Sequence, residues 1–360
     1  QTIYFREALA ALQSAYSSVG KIEEYLAIIE SMPEINISQL AQDSLTYNTA
    51  FMKFSEMDYE VAKKSFNRYI QRFKNGIFIN AATYYCAITQ LETGDTLSAV
   101  LNYEKVVESG IPTFQEKALI FLARRSYNSG DYKKSNFYYT KLMGFVSSNS
   151  IKREAIVRLM TGNEFDDKIV AANYAKRVIE FEKKDNWLLS RAYIIVARHE
   201  FDSGNYAKSK SIFKKVSKLS VYDEGAEAKY YLAYLNYLDE DFVLAEKLIF
   251  DLAEDYNNDY FIAKAFILLS DIYMYQNNIF QAKATLESII ENHEGEDLVN
   301  IARKKWEHIL ETEKEKIVEK VNEEPIIEIL EDDFQYDIIE IDEDYIVPIP
   351  DTAIVDKDNN

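Results

Sequence analysis

The sequence predicts an all-α solenoid: a right-handed superhelix of about eight stacked helical hairpins, a closing helix and a disordered acidic tail. Three observations predict it. One short motif recurs about every 37 residues along most of the chain. Only 10 Gly and 5 Pro occur in 360 residues, too few turn residues for an all-β protein of this size. The composition also breaks near Asn322: residues 321–360 carry fourteen acidic residues and one lysine, a net of −13 out of −19 for the whole chain.

The motif is clearest in Glu92-Thr93-Gly94-Asp95, Asn128-Ser129-Gly130-Asp131 and Asp202-Ser203-Gly204-Asn205. It returns around Asp58, Asp241 and Asn278, so the anchors 58, 95, 131, 205, 241 and 278 step by 37, 36, 74, 36 and 37. The double step holds a degenerate copy at Asp167, and Lys21 lies one step before Asp58. Glycine at 94, 130 and 204 suits the left-handed conformation that ends a helix. The Asp or Asn after it caps the next helix, an interaction of about 1 kcal/mol. Four residues on comes a small residue (Ala62, Ala99, Ser135, Ser209, Ala245, Ala282), then a large one a turn later (Phe66, Tyr103, Tyr139, Phe213, Ile249, Leu286). Ala50, Ala87, Ala123, Ala197, Ala233 and Ser270 give the first helix its matching small position. Such a hairpin buries its apolar face only by stacking on its neighbours.

In chain order the hairpins are expected near 5–40, 43–76, 80–113, 116–149, 152–185, 190–223, 226–259 and 263–295. The first departs from the pattern by placing Tyr25 at the small position. In the fifth, Gly162-Asn163 interrupts the first helix and predicts a local change of superhelical pitch. Residues 296–320 read as a capping helix, with Leu298, Ile301, Ala302, Trp306, Ile309 and Leu310 as its apolar stripe and Trp306 as its plug. The tail, 321–360, mixes isoleucine with dense like charge, which resists independent folding.

The spacing and the small–large pattern over residues 5–295 resemble the tetratricopeptide repeat, with two to four extra residues between hairpins. Gly225-Ala226-Glu227-Ala228-Lys229-Tyr230-Tyr231-Leu232-Ala233 and the run 265–290 resemble segments of long multi-repeat tetratricopeptide proteins of Bacteroidota-type bacteria. That resemblance implies the C-terminal part of a larger scaffold, associated with the periplasm or outer membrane. The residues themselves do not report a compartment. The chain starts close to a helical pattern, with no targeting signal, as if cut from something longer.

Catalytic and metal-binding patterns are scarce, and neither an enzyme nor a cofactor is expected. There is no glycine-rich phosphate loop, HExxH or nucleophile elbow. The three histidines, His199, His293 and His308, are unpaired in sequence and read as surface, loop and capping-helix residues. Cys86, the lone cysteine, excludes an intramolecular disulfide and a cysteine zinc site, and reads as a small core residue. Net charge argues against nucleic acid and anionic membranes. No stretch of about 18 apolar residues occurs, so no transmembrane segment is expected.

What remains is a binding surface on the first helices, which line the concave side of such an array. Its candidates are Tyr47, Phe51, Phe54, Tyr84, Ile88, Leu91, Arg124, Tyr127, Arg191, Arg198, Phe201, Tyr230, Tyr234, Tyr237, Lys264, Asp271 and Met274. Aromatic and arginine side chains are the residues that dominate interface energetics. The expected partner is a protein or peptide. Two other readings stay open at this point: a docking segment of a larger protein with an upstream catalytic domain, and a rigid spacer. The acidic tail is expected either to solubilise or to act as a short linear motif that adds a strand to a partner or lies along a groove, one version of which folds back on Arg124, Arg191 and Arg198.

Overall fold

The computed structural model describes residues 3–32 and 34–323, with side chains described to 315. The expected disordered tail therefore lies outside the described residues, apart from its first three positions. Seventeen α-helices and no strand occur among the described residues. They run α1 (Ile3–Ser18), α2 (Ile22–Glu30), α3 (Gln39–Ser55), α4 (Tyr59–Arg72), α5 (Ile79–Glu92), α6 (Thr96–Glu108), α7 (Pro112–Asn128) and α8 (Tyr132–Met143). After them come α9 (Asn149–Gly162), α10 (Lys168–Phe181), α11 (Asn186–Asp202), α12 (Tyr206–Leu219), α13 (Asp223–Leu238) and α14 (Phe242–Asp255). The last three are α15 (Asp259–Tyr275), α16 (Ile279–Asn292) and α17 (Glu296–Glu323). The chain divides into two compact units, Gln1–Trp306 and Glu307–Asn360. The first is the array; the described part of the second is the continuation of α17.

Within each hairpin the turn is set by backbone chemistry. Gly94, Gly130 and Gly204 take φ of +80°, +78° and +76°. The amide of the residue after the glycine closes a six-residue bond back onto the helix, Asp95 N–H to Gln90 C=O at 2.7 Å and Asp131 N–H to Ser126 C=O at 2.9 Å. Met57, Glu240 and Asn277 adopt the same left-handed conformation, with φ of 60°, 60° and 57°, so the turn survives without glycine. Asp58, Asp95, Asp131, Asp241 and Asn278 each accept the N–H three residues ahead, and Asp167 does so in the degenerate copy. Asn205 was expected to cap as well and does not; its side-chain amide donates to Glu200 instead, at 2.9 Å.

The small and large positions pack as the repeat requires. Ala50, Ala62, Ala87, Ala99, Ala123, Ala197, Ala233, Ala245 and Ala282 are fully buried, as are Phe66, Phe213, Ile249 and Leu286. Burying one such large side chain stabilises the stack by about 1.5–3 kcal/mol. Tyr25, at the atypical position, is buried beside Ile22, Leu26 and Ile29. In α17, Leu298 and Ala302 are buried, but Ile301, expected in the apolar stripe, is exposed. The Trp306 indole N–H donates to Glu287 at 2.9 Å, and Lys305 pairs with Asp271 at 2.6 Å, tying α17 to α16 and α15.

Successive first helices pack on one another, α1 on α3, α3 on α5, α5 on α7, α11 on α13 and α13 on α15. No pair of successive second helices packs to that extent. The first helices thus form the inner layer of the array. That layer loosens on both sides of α9, where neither α7 nor α11 packs closely. Gly162 ends α9 rather than interrupting it, and the turn 163–167 is five residues long against three in the other hairpins. Asn136 requires that glycine: its Nδ2 donates to Gly162 C=O at 3.1 Å, and its Oδ1 would lie 2.4 Å from an added Cβ.

Candidate functional site

Ion pairs and aromatic rings of the inner face meet where α11, α13 and α15 lie side by side. α13 presents Glu224, Glu227, Tyr230, Tyr231, Tyr234 and Tyr237 at three- and four-residue spacings, which puts them on neighbouring stripes of one helix. α11 contributes Arg191, Arg198 and Phe201, and α15 contributes Phe261 and Lys264.

Two arginines and three carboxylates form a connected cluster. Arg191 reaches Glu164 at 2.7 Å and Glu224 at 3.4 Å. Arg198 reaches Glu164 at 2.6 Å through Nη1 and grips both oxygens of Glu227 through Nε and Nη2. All three carboxylates are buried. Burial works against the charge of Arg198, but the hydrogen bonds and charges of Glu227 and Glu164 outweigh it and hold its proton more tightly than usual. Glu164 sits in the long turn after α9, so the degenerate hairpin supplies the acid that links both arginines. Beside it a cavity of about 240 Å³ is lined by Phe165, Lys168, Ile195 and His199 together with Glu164 and Arg198.

The aromatic part lies next along α13. Tyr230 and Tyr234 stack at 6.3 Å between centroids, Tyr234 and Tyr237 at 6.4 Å, and Phe201 packs on Tyr234 at 6.0 Å. Tyr234 and Tyr237 are half-buried. No described residue hydrogen-bonds the hydroxyls of Tyr230, Tyr234 or Tyr237. The Lys264 ammonium stands 4.6 Å over the Tyr230 ring and within 6.0 Å of Tyr231, Tyr260 and Phe261. Desolvation among these rings lowers its pKa, opposed by the charge of Glu227. Burial raises the pKa of the Tyr230 hydroxyl.

The other candidates occupy separate places. Tyr47 stacks on Phe78 at 4.4 Å, and Phe51 and Phe54 both meet Tyr85 at 4.9 Å. Tyr84 is buried, and Ile88 and Leu91 pack against the same apolar cluster. These side chains hold adjacent hairpins together. Arg124 makes a two-pronged pair with Glu154, at 2.7 and 2.6 Å, beside a recess of about 620 Å³ that also holds Lys117, Phe121 and Arg125. Tyr127 donates to or accepts from Thr161 at 2.8 Å and lies under the Arg158 guanidinium, 4.2 Å from its ring. Asp271 is occupied by Lys305, and Met274 is half-buried.

Sequence reading found the arginines but missed Glu154, Glu164, Glu224 and Glu227. The signal was present: each pair joins opposite charges 27 to 34 residues apart, close to one repeat. The three groove arginines expected to receive the acidic tail are thus already paired. Cys86 is fully buried, as expected of a core residue. His199 is half-buried beside the 240 Å³ cavity, and His293 is half-buried at the end of α16. No three His, Cys, Asp or Glu side chains gather to hold a metal ion among the described residues. No described helix is long and apolar enough to cross a membrane.

No protein-family model matches the chain, and no curated protein matches it. Among solved structures it is similar to a tetratricopeptide repeat protein from Parabacteroides merdae, at 15% identity over 76% of this chain and 100% of that one, with a TM-score of 0.36. It is also similar to the C-terminal part of a TPR repeat-containing protein from Cytophaga hutchinsonii (12% identity, 81% of this chain, 98% of that one, TM-score 0.32). A third is the TPR2AB domain of yeast Sti1 in complex with pHSP90 (13% identity, 75% of this chain, 98% of that one, TM-score 0.33). The units that resemble the tetratricopeptide repeat in sequence are helical hairpins stacked in register.

Proposed function

We propose that this chain is a non-enzymatic protein-interaction scaffold, and that an extended peptide segment of its partner lies across α11, α13 and α15. The observation that carries this reading is the row Tyr230, Tyr234 and Tyr237: stacked rings on the inner layer, with three hydroxyls that no described residue hydrogen-bonds. Tyrosine combines a large apolar surface with a polar tip, which suits it to an interface where a peptide backbone supplies carbonyl acceptors. The arginines and glutamates beside the row are already paired and the Lys264 ammonium lies over the Tyr230 ring, so apolar contact and neutral hydrogen bonding do most of the selecting.

The scaffold is proposed to serve a bacterial envelope assembly, on the strength of the sequence resemblance at 225–233 and 265–290. Cell fractionation of the source organism tests that placement; recovery in the cytosolic fraction alone refutes it. The binding face is tested by affinity capture with the full chain and with Tyr234→Phe/Tyr237→Phe, which removes two hydroxyls and leaves both rings. Capture should weaken about tenfold while the far-UV circular dichroism spectrum stays the same. Unchanged capture by that variant and by Tyr234→Ala/Tyr237→Ala refutes the reading.

A further inference from the structure

Each second helix runs back against its first, so the turns inside hairpins gather at one end of the array and the connections between hairpins at the other. Side chains tie neighbouring connections together at that second end. Arg191 near the start of α11 pairs with Glu224 at the start of α13, and the Tyr256 hydroxyl after α14 donates to the Ser220 carbonyl after α12 at 3.0 Å. A connection needs no large apolar side chain, yet Trp187 is 57% exposed, Val221 76% and Tyr222 64%, with Phe145 exposed one hairpin earlier. Single exposed apolar residues are ordinary; four in three successive connections at one end are a surface.

Lysines surround these side chains. Residues 141–152, 180–187 and 214–223 hold seven lysines against four acids, a net of +3 in a chain whose total is −19. Lys152, Lys184, Lys214 and Lys218 are exposed and have no carboxylate partner among the described residues. By contrast, Lys168 pairs with Asp202 and Lys210 with Asp239. Three of the four acids are engaged in building the connections. Glu182 accepts the backbone N–H groups of Lys183, Lys184 and Asp185, at 2.8, 2.9 and 3.1 Å. Asp185 accepts the Leu188 N–H at 3.0 Å, and Asp223 accepts the Asn258 side-chain amide at 2.7 Å.

We propose that this end of the array, from the connection before α11 to the connection before α13, docks on an anionic lipid surface. Trp187 and Tyr222 each combine an apolar ring with a polar tip and settle at headgroup level, while Val221 enters the acyl boundary. The lysine stems lie along apolar surface and carry their ammonium groups to the lipid phosphates. A nucleic-acid backbone would engage the lysines and leave Val221 without a counterpart; a bilayer interface takes both. The total of −19, which argues against an anionic membrane when the whole chain is summed, acts weakly here. At 0.1 M salt, charges more than about 10 Å from the lipid are largely screened, so the local excess of lysine governs. The tyrosine row lies further along α13 on the inner layer, so this inference stands apart from the scaffold reading.

Vesicle sedimentation with the full chain tests it, comparing phosphatidylcholine alone with phosphatidylcholine containing one third phosphatidylglycerol. The chain has two tryptophans, so Trp306→Phe leaves Trp187 as the lone fluorescent reporter. Anionic vesicles should bind the chain and shift the Trp187 emission to the blue, and brominated acyl chains should quench it; neutral vesicles should do neither. Raising salt from about 50 mM to about 500 mM should lower binding about tenfold. Lys184→Gln/Lys218→Gln should lower it about tenfold, and Val221→Ser/Tyr222→Ser about fivefold. All four sites are exposed, and circular dichroism should report both variants folded. Absence of binding, equal binding to the two lipids, unchanged binding by both variants, or binding without a change in Trp187 emission overturns the proposal. So does retention on immobilised poly-glutamate without binding to vesicles, which gives the surface to an acidic protein.

Discussion

Replacing Arg198 with methionine should unfasten α11 from α13. Arg198 makes three hydrogen bonds to two carboxylates whose side chains are only 3% and 6% exposed, Glu164 and Glu227. Methionine keeps much of the apolar stem, so the loss is chiefly electrostatic. Afterwards Glu164 still has Arg191 at 2.7 Å, but Glu227 has no hydrogen-bond partner left among the described residues. Removing one member of a buried pair costs about 3–5 kcal/mol. Since Arg198 itself is 28% exposed and water can follow it in, the lower end applies, about 3 kcal/mol. A urea titration followed by circular dichroism, with a slope of about 3 kcal/mol/M, should then lose about 1 M at its midpoint. Hydrogen exchange resolved by peptide should place the loss in α11 and α13, since repeat arrays open locally. The double variant Arg198→Met/Glu227→Leu removes both members and should regain most of the stability. A loss under about 1 kcal/mol in the single variant, or a double variant no better than the single, refutes the reasoning.

Gly225→Ala puts a Cβ 2.1 Å from the Ser220 carbonyl oxygen and 2.6 Å from the Tyr256 hydroxyl, and a backbone atom cannot step aside. It should cost more than Gly94→Ala, where nothing lies within 4 Å and only the left-handed φ is strained, about 1 kcal/mol. Thermal melts of the two variants rank them. Burial pushes the Cys86 thiol up to about 12, so a disulfide reagent at pH 8 should leave it unmodified until urea unfolds the chain; prompt reaction in native buffer contradicts its placement. Burial likewise raises the hydroxyls of Tyr47, Tyr138 and Tyr231 to about 12. A raised folded-state pKa contributes stability in full below the unfolded value near 10, and that stability is lost as pH climbs through about 12. Absorbance at 295 nm should show these phenols ionising late and together with unfolding, and urea midpoints should fall between pH 10 and 12.

The hairpins were legible because one local rule writes each of them: a left-handed turn residue, a cap, a small residue and a large one. Even Met57 and Glu240 obey it by position, though neither residue favours that backbone conformation. The site was half legible. Tyr230, Tyr234 and Tyr237 follow from their spacing along one helix, whereas the fate of Arg191 and Arg198 depends on carboxylates one repeat away. Glu164 was hidden most completely, because it lies in the turn of the copy that departs furthest from the pattern. Aromatic residues such as Tyr84 and Tyr47 look alike in sequence whether they face a partner or the next hairpin, and only packing separates the two.

The loosened inner layer around α9 leaves the array a joint held by side-chain contacts rather than by close packing of neighbouring first helices. Elsewhere neighbouring first helices pack closely on one another, and between α11 and α13 the pairs Arg191–Glu224 and Arg198–Glu227 add to that packing. Between α7 and α9 the polar links are the Tyr127–Thr161 hydrogen bond, the Arg158 guanidinium over the Tyr127 ring, and the partly exposed pair Arg124–Glu154, which mobile ions screen. Two stretches of firm stacking therefore meet at α9, and screening of its exposed ion pair is expected to soften that joint in part as salt rises.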